Sequence, residues 1–422
     1  MSAFEKVIGY ETIKKELLQI CDMLHNREIY EKLGAKFPQG VLLYGEPGLG
    51  KTLIAKSFIE ESGLEAYIIR RNKGNNDFVG YITDTFKKAK ENAPCIIFMD
   101  DMDKFANEDS EHCDAEEYVA IQSGIDEVKN YNVFILATVN DKWKLPDSLI
   151  RSGRFDRKIE MKCPNDKDAN EIIKHYLSDK KVAKDINMDD LFRMMSYSSC
   201  ARLETILNEA AISAAYERKT CIEMNDMVNA VLRMEYDSTD SYTKITEEDL
   251  KKIALHEAGH LVVAEVLCPG SVGLASLRSV GREFTGGFIH RCKEFPKNSY
   301  HILVLLAGKA AVELYYSDSV ASGCQNDIQN AFEIIKKEIT ENAVLGLGMV
   351  DLSPYSSENL NSRNEAVIRA EAERFILRAK DILLKNRDFL EKAADALLEK
   401  ETLLSSDIRG LRESVSIKEV PA

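Results

Sequence analysis

The sequence predicts an α/β domain built on a parallel sheet, then a helical region, then a second and mostly helical domain. Three observations predict it. Short apolar runs alternate with helical stretches over residues 1–160, helical spacing dominates 161–236, and long helices with two strand-like segments fill 246–412. In the first region the strand candidates are Val41–Tyr44, Ala66–Ile69, Cys95–Met99 and Val133–Ala137, with helices running from Thr52, Thr83 and Asp114. In the second, Leu203, Ile206, Leu207 and Ala210 line one side of a helix within residues 201–219. The polar stretch from Asp237 lacks periodicity and reads as a linker over 237–245. The third region opens on a helix with Thr246 as N-cap and Asp249 three positions on. Strand-like segments at Val272–Val280 and Phe284–Arg291 precede helices from about 299, 325, 361 and 388, and residues 413–422 read as a frayed tail.

Composition narrows the class. At roughly 100–200 residues per domain, 422 residues make two to four domains, and 45% hydrophobic with 30% charged residues is ordinary for a globular chain. A net charge of −14 makes nucleic acid a poor partner. The nine cysteines are scattered and contain no Cys-x-x-Cys, which argues against a disulfide framework or a cysteine zinc site and fits a reducing cytosol. No apolar run approaches the about 20 residues needed to span a bilayer, and the N-terminus has no signal-peptide pattern. As written, the chain is expected to be soluble and cytoplasmic.

Gly45-Glu46-Pro47-Gly48-Leu49-Gly50-Lys51-Thr52 matches G-x-x-x-x-G-K-[ST], with a strand before it and a helix from Leu53 after it. Glycines let backbone N–H groups wrap phosphates, Lys51 brings positive charge to the β/γ-phosphates, and Thr52 offers a hydroxyl to Mg²⁺. The apolar strand Cys95–Met99 then ends in Asp100, suited to the Mg²⁺ shell of a bound ATP, and Asp101, suited to polarise the attacking water. Asn140 follows another apolar strand and can orient the γ-phosphate and that water. Arg151 and Arg154, in Leu149-Ile-Arg-Ser-Gly-Arg-Phe-Asp156, have the placement of arginine fingers acting on a neighbour's nucleotide in a ring of subunits.

His256-Glu-Ala-Gly-His260 lies in a predicted helix, where i, i+4 spacing puts both imidazoles on one face, able to share Zn²⁺. Glu257 beside them is placed to act as general base on water at the metal. A catalytic zinc needs a third protein ligand, and none follows at short spacing. Asp327, Asp318 and Glu313 compete, and spacing alone does not choose among them. His25, His112, His290 and His301 read as surface or core histidines.

A phosphate loop, an arginine box and HExxH in this order resemble the FtsH family of AAA+ zinc proteases from about Val7 to Gly410. The resemblance implies an AAA+ P-loop NTPase domain with a helical lid, followed by a mostly α-helical zinc metallopeptidase domain. It implies an ATP-dependent zinc endopeptidase whose homo-hexamer threads unfolded or tagged protein substrates through a pore. It also selects Asp327, in Asn326-Asp327, as third ligand. It implies that Phe78 is the aromatic pore-loop residue, that His175 and Val7-Ile8-Gly9 contact the nucleotide, and that Gly286-Gly287-Phe288-Ile289 pairs with substrate. Together with these, Gly45, Pro47, Gly48, Leu49, Gly50, Lys51, Thr52, Leu53 and Asp100 make up the expected nucleotide site.

The chain departs from the family pattern in places. Asp101 stands where the family has Glu, a glycine pair after the pore loop is lacking, the stretch after Asp103 is acidic, and Cys200 replaces a lid glycine. These departures touch the motor more than the zinc chemistry. They motivate two alternatives, a remodeller with weak proteolysis and a peptidase with an impaired motor. Family members normally begin with transmembrane helices, so the chain is expected to be membrane-associated if such an anchor precedes it.

Overall fold

The structure, a computed structural model, describes residues 2–71, 77–106, 115–238, 246–278, 286–316, 324–342 and 358–419. The expected linker from 239, the acidic stretch after Asp103 from residue 107 onward, His112, Asp318, and residues 279–285 of the strand-like segments lie outside them. By internal contacts the chain divides into two compact units, Met1–Asp179 with Tyr197–Thr205, and Lys180–Ser196 with Ile206–Ala422.

The first unit holds a five-stranded parallel sheet of β1 (Gly40–Tyr44), β2 (Glu65–Ile69), β3 (Cys95–Met99), β4 (Val133–Val139) and β5 (Arg157–Glu160), in the order β2-β3-β4-β1-β5. Both faces are covered, which is why the central strands are apolar without alternation. Side-chain period two sorts them. Leu42, Ile97 and Ile135 pack beneath the helices Phe78–Glu91 and Ala115–Val128, whereas Val41, Leu43, Ile96, Phe98 and Leu136 pack with Phe58 and Leu17 on the opposite face. The four expected strands are present. The fifth, β5, has no hydrophobic signature because only Ile159 of Arg-Lys-Ile-Glu is buried, as suits a charged edge strand. Because all strands run the same way, the loops after β1, β3 and β4 gather at one edge, where ligands bind open α/β sheets.

The second unit combines a three-stranded antiparallel sheet with long helices. β6 (Val272–Ser276) is central, flanked by β7 (Phe288–Arg291) and the three-residue β8 (Thr402–Leu404), too short to announce itself in the sequence. The helix Glu247–Leu267 begins at Thr246, whose hydroxyl accepts from the N–H of Asp249 at 3.1 Å, as expected. It packs against the helix Asn298–Tyr315 through Gly259, where a Cβ would come within 2.6 Å of the Ala307 carbonyl oxygen and 2.7 Å of Ala311 Cβ. Helices Gln325–Thr340, Glu358–Lys385 and Arg387–Lys400 complete the core with Ile335, Phe375, Ile382, Phe389 and Leu397. The tail corrects expectation. The buried Asn386 side chain accepts from the N–H of Lys418 at 2.8 Å and donates to its carbonyl at 3.1 Å, so the chain is held that far.

Helices Met188–Met194 and Met224–Tyr236 belong to this second unit. Asp190 accepts from the backbone N–H and hydroxyl of Ser406 at 2.7 and 2.6 Å, Arg193 donates to the Gly270 carbonyl at 3.0 Å, and Arg278 donates to Asn229 at 3.0 Å. Among the described residues, no helix is long and apolar enough to cross a membrane.

Candidate nucleotide and metal sites

The loop after β1 has the backbone that its glycines permit. Gly45, Gly48 and Gly50 all have positive φ, and a Cβ on Gly45 would run into the Met161 carbonyl oxygen. Gly50 is the N-cap of the helix Lys51–Ser62, so free N–H groups point into the loop. Lys51 folds over it, donating to the carbonyls of Gly45 at 2.7 Å and Glu46 at 2.8 Å. Burial pulls this ammonium below the ordinary lysine value against the opposing pull of Asp101, Asp103 and Asp100. Leu49 is buried, whereas Pro47 and Leu53 are exposed.

The hydroxyl of Thr52 donates to Asp100 at 2.8 Å, joining the two residues expected to share Mg²⁺. Thr138, on β4, donates to the same carboxylate at 2.9 Å and accepts from the N–H of Asp101 at 2.9 Å. Thr138 was not singled out in the sequence, since a lone threonine inside an apolar strand carries no pattern. Asp101 has a left-handed backbone and pairs with Lys104 at 2.6 Å. Asn140 follows β4 at the same edge. Val7 is buried, and Gly9 packs so closely on Asp168 that a Cβ would sit 2.8 Å from Asp168 Cβ. Cys200 lies 3.5 Å from Tyr10 Oη and 3.8 Å from the Leu49 carbonyl, beside the loop. His175 lies exposed in the last turn of the helix Asp166–Leu177.

Two residues with expected roles beyond their own subunit are packed within it. Arg154 is 2% exposed, and its guanidinium holds Asp126 through two nitrogens and the Ser148 carbonyl through a third. It is bound within its own subunit, whereas Arg151 is exposed. Arg154→Ala should therefore behave as a structural lesion, lowering stability by about 1–3 kcal/mol in urea unfolding, whereas Arg151→Ala should unfold as the wild type does. Phe78 is likewise packed within its subunit. It starts the helix Phe78–Glu91 with 5% exposure, and its ring packs edge-on against Phe105 at 5.3 Å and stacks with Tyr81 at 6.1 Å.

In the second unit, His256, His260 and Asp327 converge. The two Nε2 atoms are 3.0 Å apart, and each is 3.3 Å from Asp327 Oδ2. All three donor atoms lie within 4.8 Å of one another, and among the described residues no other such group of three occurs. Of the rival third ligands, Glu313 is paired with Lys309 and Lys380. His260 Nδ1 is 2.6 Å from the Val304 carbonyl, which fixes its proton there and leaves Nε2 a lone pair. Cys324 Sγ lies 3.6 Å from His256 Nδ1. Two nitrogens and a carboxylate oxygen converging on one point are the donor set of a catalytic zinc. Gly308 lets the two rings take these positions. A Cβ there would be 2.5 Å from His260 Nε2 and 2.6 Å from His256 Nδ1. Gly308→Ala is expected to weaken zinc binding about 10–100-fold, read by chelator competition, with helical content unchanged.

Glu257 is 3% exposed, and burial raises its carboxyl above the usual carboxylate range despite the opposing pull of His256 and His260. A raised carboxylate is a stronger base. Gly287, just before β7, packs directly on it: a Cβ there would lie 2.6 Å from Glu257 Cγ. Gly286 has positive φ, and Phe288 opens the strand. Thus Gly286, Gly287 and Phe288 lead the edge strand past the base.

Comparison with known proteins agrees with this geometry. The family model of the ATPase family associated with various cellular activities (AAA) matches residues 41–163, and that of peptidase family M41 matches 243–411. The chain is 33% identical, over 99% of its length, to an ATP-dependent zinc metalloprotease FtsH of Streptobacillus moniliformis, and covers 65% of that protein. It is 31% identical over 96% of its length to one of Aster yellows witches'-broom phytoplasma, of which it covers 63%. It is 31% identical over 97% of its length to one of Caldicellulosiruptor bescii, of which it covers 71%. The chain thus spans just under two thirds of the first two relatives.

Proposed function

Because the chain belongs to the FtsH family of ATP-dependent zinc metalloproteases, we propose that it couples ATP hydrolysis to cleavage of protein substrates at the His256–His260–Asp327 centre. The observation that carries the proposal is the convergence of these three donors, with Asp327 coming 71 positions after His256, next to the buried Glu257. Zinc, when bound there, polarises the scissile carbonyl and acidifies water. Glu257 takes the proton from the attacking water and delivers it to the leaving nitrogen. The substrate lies extended along β7, led past Glu257 by Gly286 and Gly287.

In the motor, Lys51, Thr52 and Asp100 hold Mg²⁺ and ATP, while Asp101, freed from Lys104, and Asn140 orient the water. Val7-Ile8-Gly9 and His175 contact the nucleotide. Arg151 reaches the nucleotide of the next subunit in a homo-hexamer, and Phe78 leaves its packed position to grip an unfolded or tagged chain. Cysteine usage favours a cytosolic location for both domains.

Degradation of a folded, tagged protein tests the proposal. It is expected with ATP, and not without ATP or with a zinc chelator. Degradation that survives the chelator, or proceeds equally without ATP, would overturn it.

A further inference from the structure

The outward face of β7 is covered by a residue from outside the peptidase region. Tyr236, in the last turn of the helix Met224–Tyr236, stacks on Phe288 with ring centroids 3.8 Å apart and planes at 26°. Its Oη lies 2.6 Å from Nδ1 of His290. Phe288 and His290 are two apart on one strand, so they share a face, and a single tyrosine engages both. Ile289, between them, packs into the helical core on the other face. Among the described residues β7 pairs only with β6, so its second edge is open.

The position of Tyr236 is itself fixed. The helix ends there on Asp237, with a left-handed backbone, and the N–H of Ser238 returns to the Leu232 carbonyl at 3.2 Å. Neighbouring helical residues are also tied down, Asn229 to Arg278 and Arg193 to the Gly270 carbonyl. A four-residue edge strand preceded by two glycines has little of its own to hold it.

We propose that Tyr236 is a positioning residue of the peptidase cleft, clamping β7 through Phe288 and His290 so that its open edge stands in register with Glu257 to receive the substrate strand. This rests on the reading of β7 as the substrate-pairing edge. Loss of the clamp weakens peptide binding and leaves the chemistry intact, so the signature is a split between KM and kcat.

The test uses the full zinc-loaded chain and a short unstructured fluorogenic peptide, with a second peptide N-methylated at alternate residues away from the scissile bond. For Tyr236→Ala, KM should rise about tenfold, with kcat, zinc content and ATP turnover near wild type. Tyr236→Phe, which keeps the ring and loses the hydroxyl, should rise about threefold. Amide hydrogen exchange over 286–291 should quicken in the same order. An unchanged KM in Tyr236→Ala, or a fall in kcat and zinc content that accounts for the whole defect, would overturn the assignment. In wild type, equal KM for the parent and N-methylated peptides would instead overturn the edge-strand reading and the proposal with it. A wild type that rejects the N-methylated peptide, with Tyr236→Ala keeping wild-type KM, refutes the clamp alone.

Discussion

Glu257→Gln should lose peptide cleavage by about 10³-fold or more while keeping its zinc and its ATP turnover. Its carboxylate is buried beside the two imidazoles, and Gly287 packs against it, so bulk water has poor access to substitute for it as proton acceptor. Burial also raises its proton affinity, as its task requires. Glutamine has the same shape and fills the same pocket, so the helix Glu247–Leu267 and the donor atoms on it should be undisturbed. The phosphate loop belongs to the other compact unit, so nucleotide hydrolysis should not feel the change. Cleavage of a short fluorogenic peptide, measured beside phosphate release on the same preparation, checks this. Cleavage within tenfold of wild type would remove Glu257 from the mechanism.

Lys51→Ala should produce the complementary defect. Its ammonium lies within the loop, donating to the carbonyls of Gly45 and Glu46, and its burial outweighs the opposing pull of three carboxylates. A bound nucleotide would offer phosphate oxygens in place of those carbonyls. Removing one positioned donor from a phosphoryl-transfer site costs about 10²–10³-fold in rate. ATP turnover and degradation of folded protein should fall together by that factor, while a short unstructured peptide is still cut. Folded substrate degraded at wild-type rate by Lys51→Ala would mean that the two activities are not coupled.

How much of this was legible in the sequence varied with the range of the interaction. The central strands and the helices from Lys51, Gln325 and Arg387 were readable because their apolar runs are local. β5 and β8 were not, because one is charged except at Ile159 and the other is three residues long. Both exist through pairing with neighbours distant in sequence. The paired histidines and their glutamate follow from helical spacing, but Asp327 could be chosen only by resemblance. What joins it to the histidines is the packing of the helices that carry them. Arg154 shows the opposite failure. Its motif suggested reach toward a neighbour, and nothing in the local sequence showed that Asp126, 28 positions earlier, would take up its guanidinium. Thr138, Val304 and Tyr236 act by tertiary contact alone. The close approach that requires glycine at position 308 became visible only with both imidazole rings in place.

The proposed cleavage stands on one metal ion held by His256, His260 and Asp327. Metal analysis of the purified chain and of Asp327→Ala, with X-ray absorption at the zinc edge, decides whether it is there. One zinc per chain is expected, bound by two nitrogens and carboxylate oxygen, with most of it lost in Asp327→Ala. A chain that carries no zinc after incubation with it, or holds zinc equally well without Asp327, would refute the site.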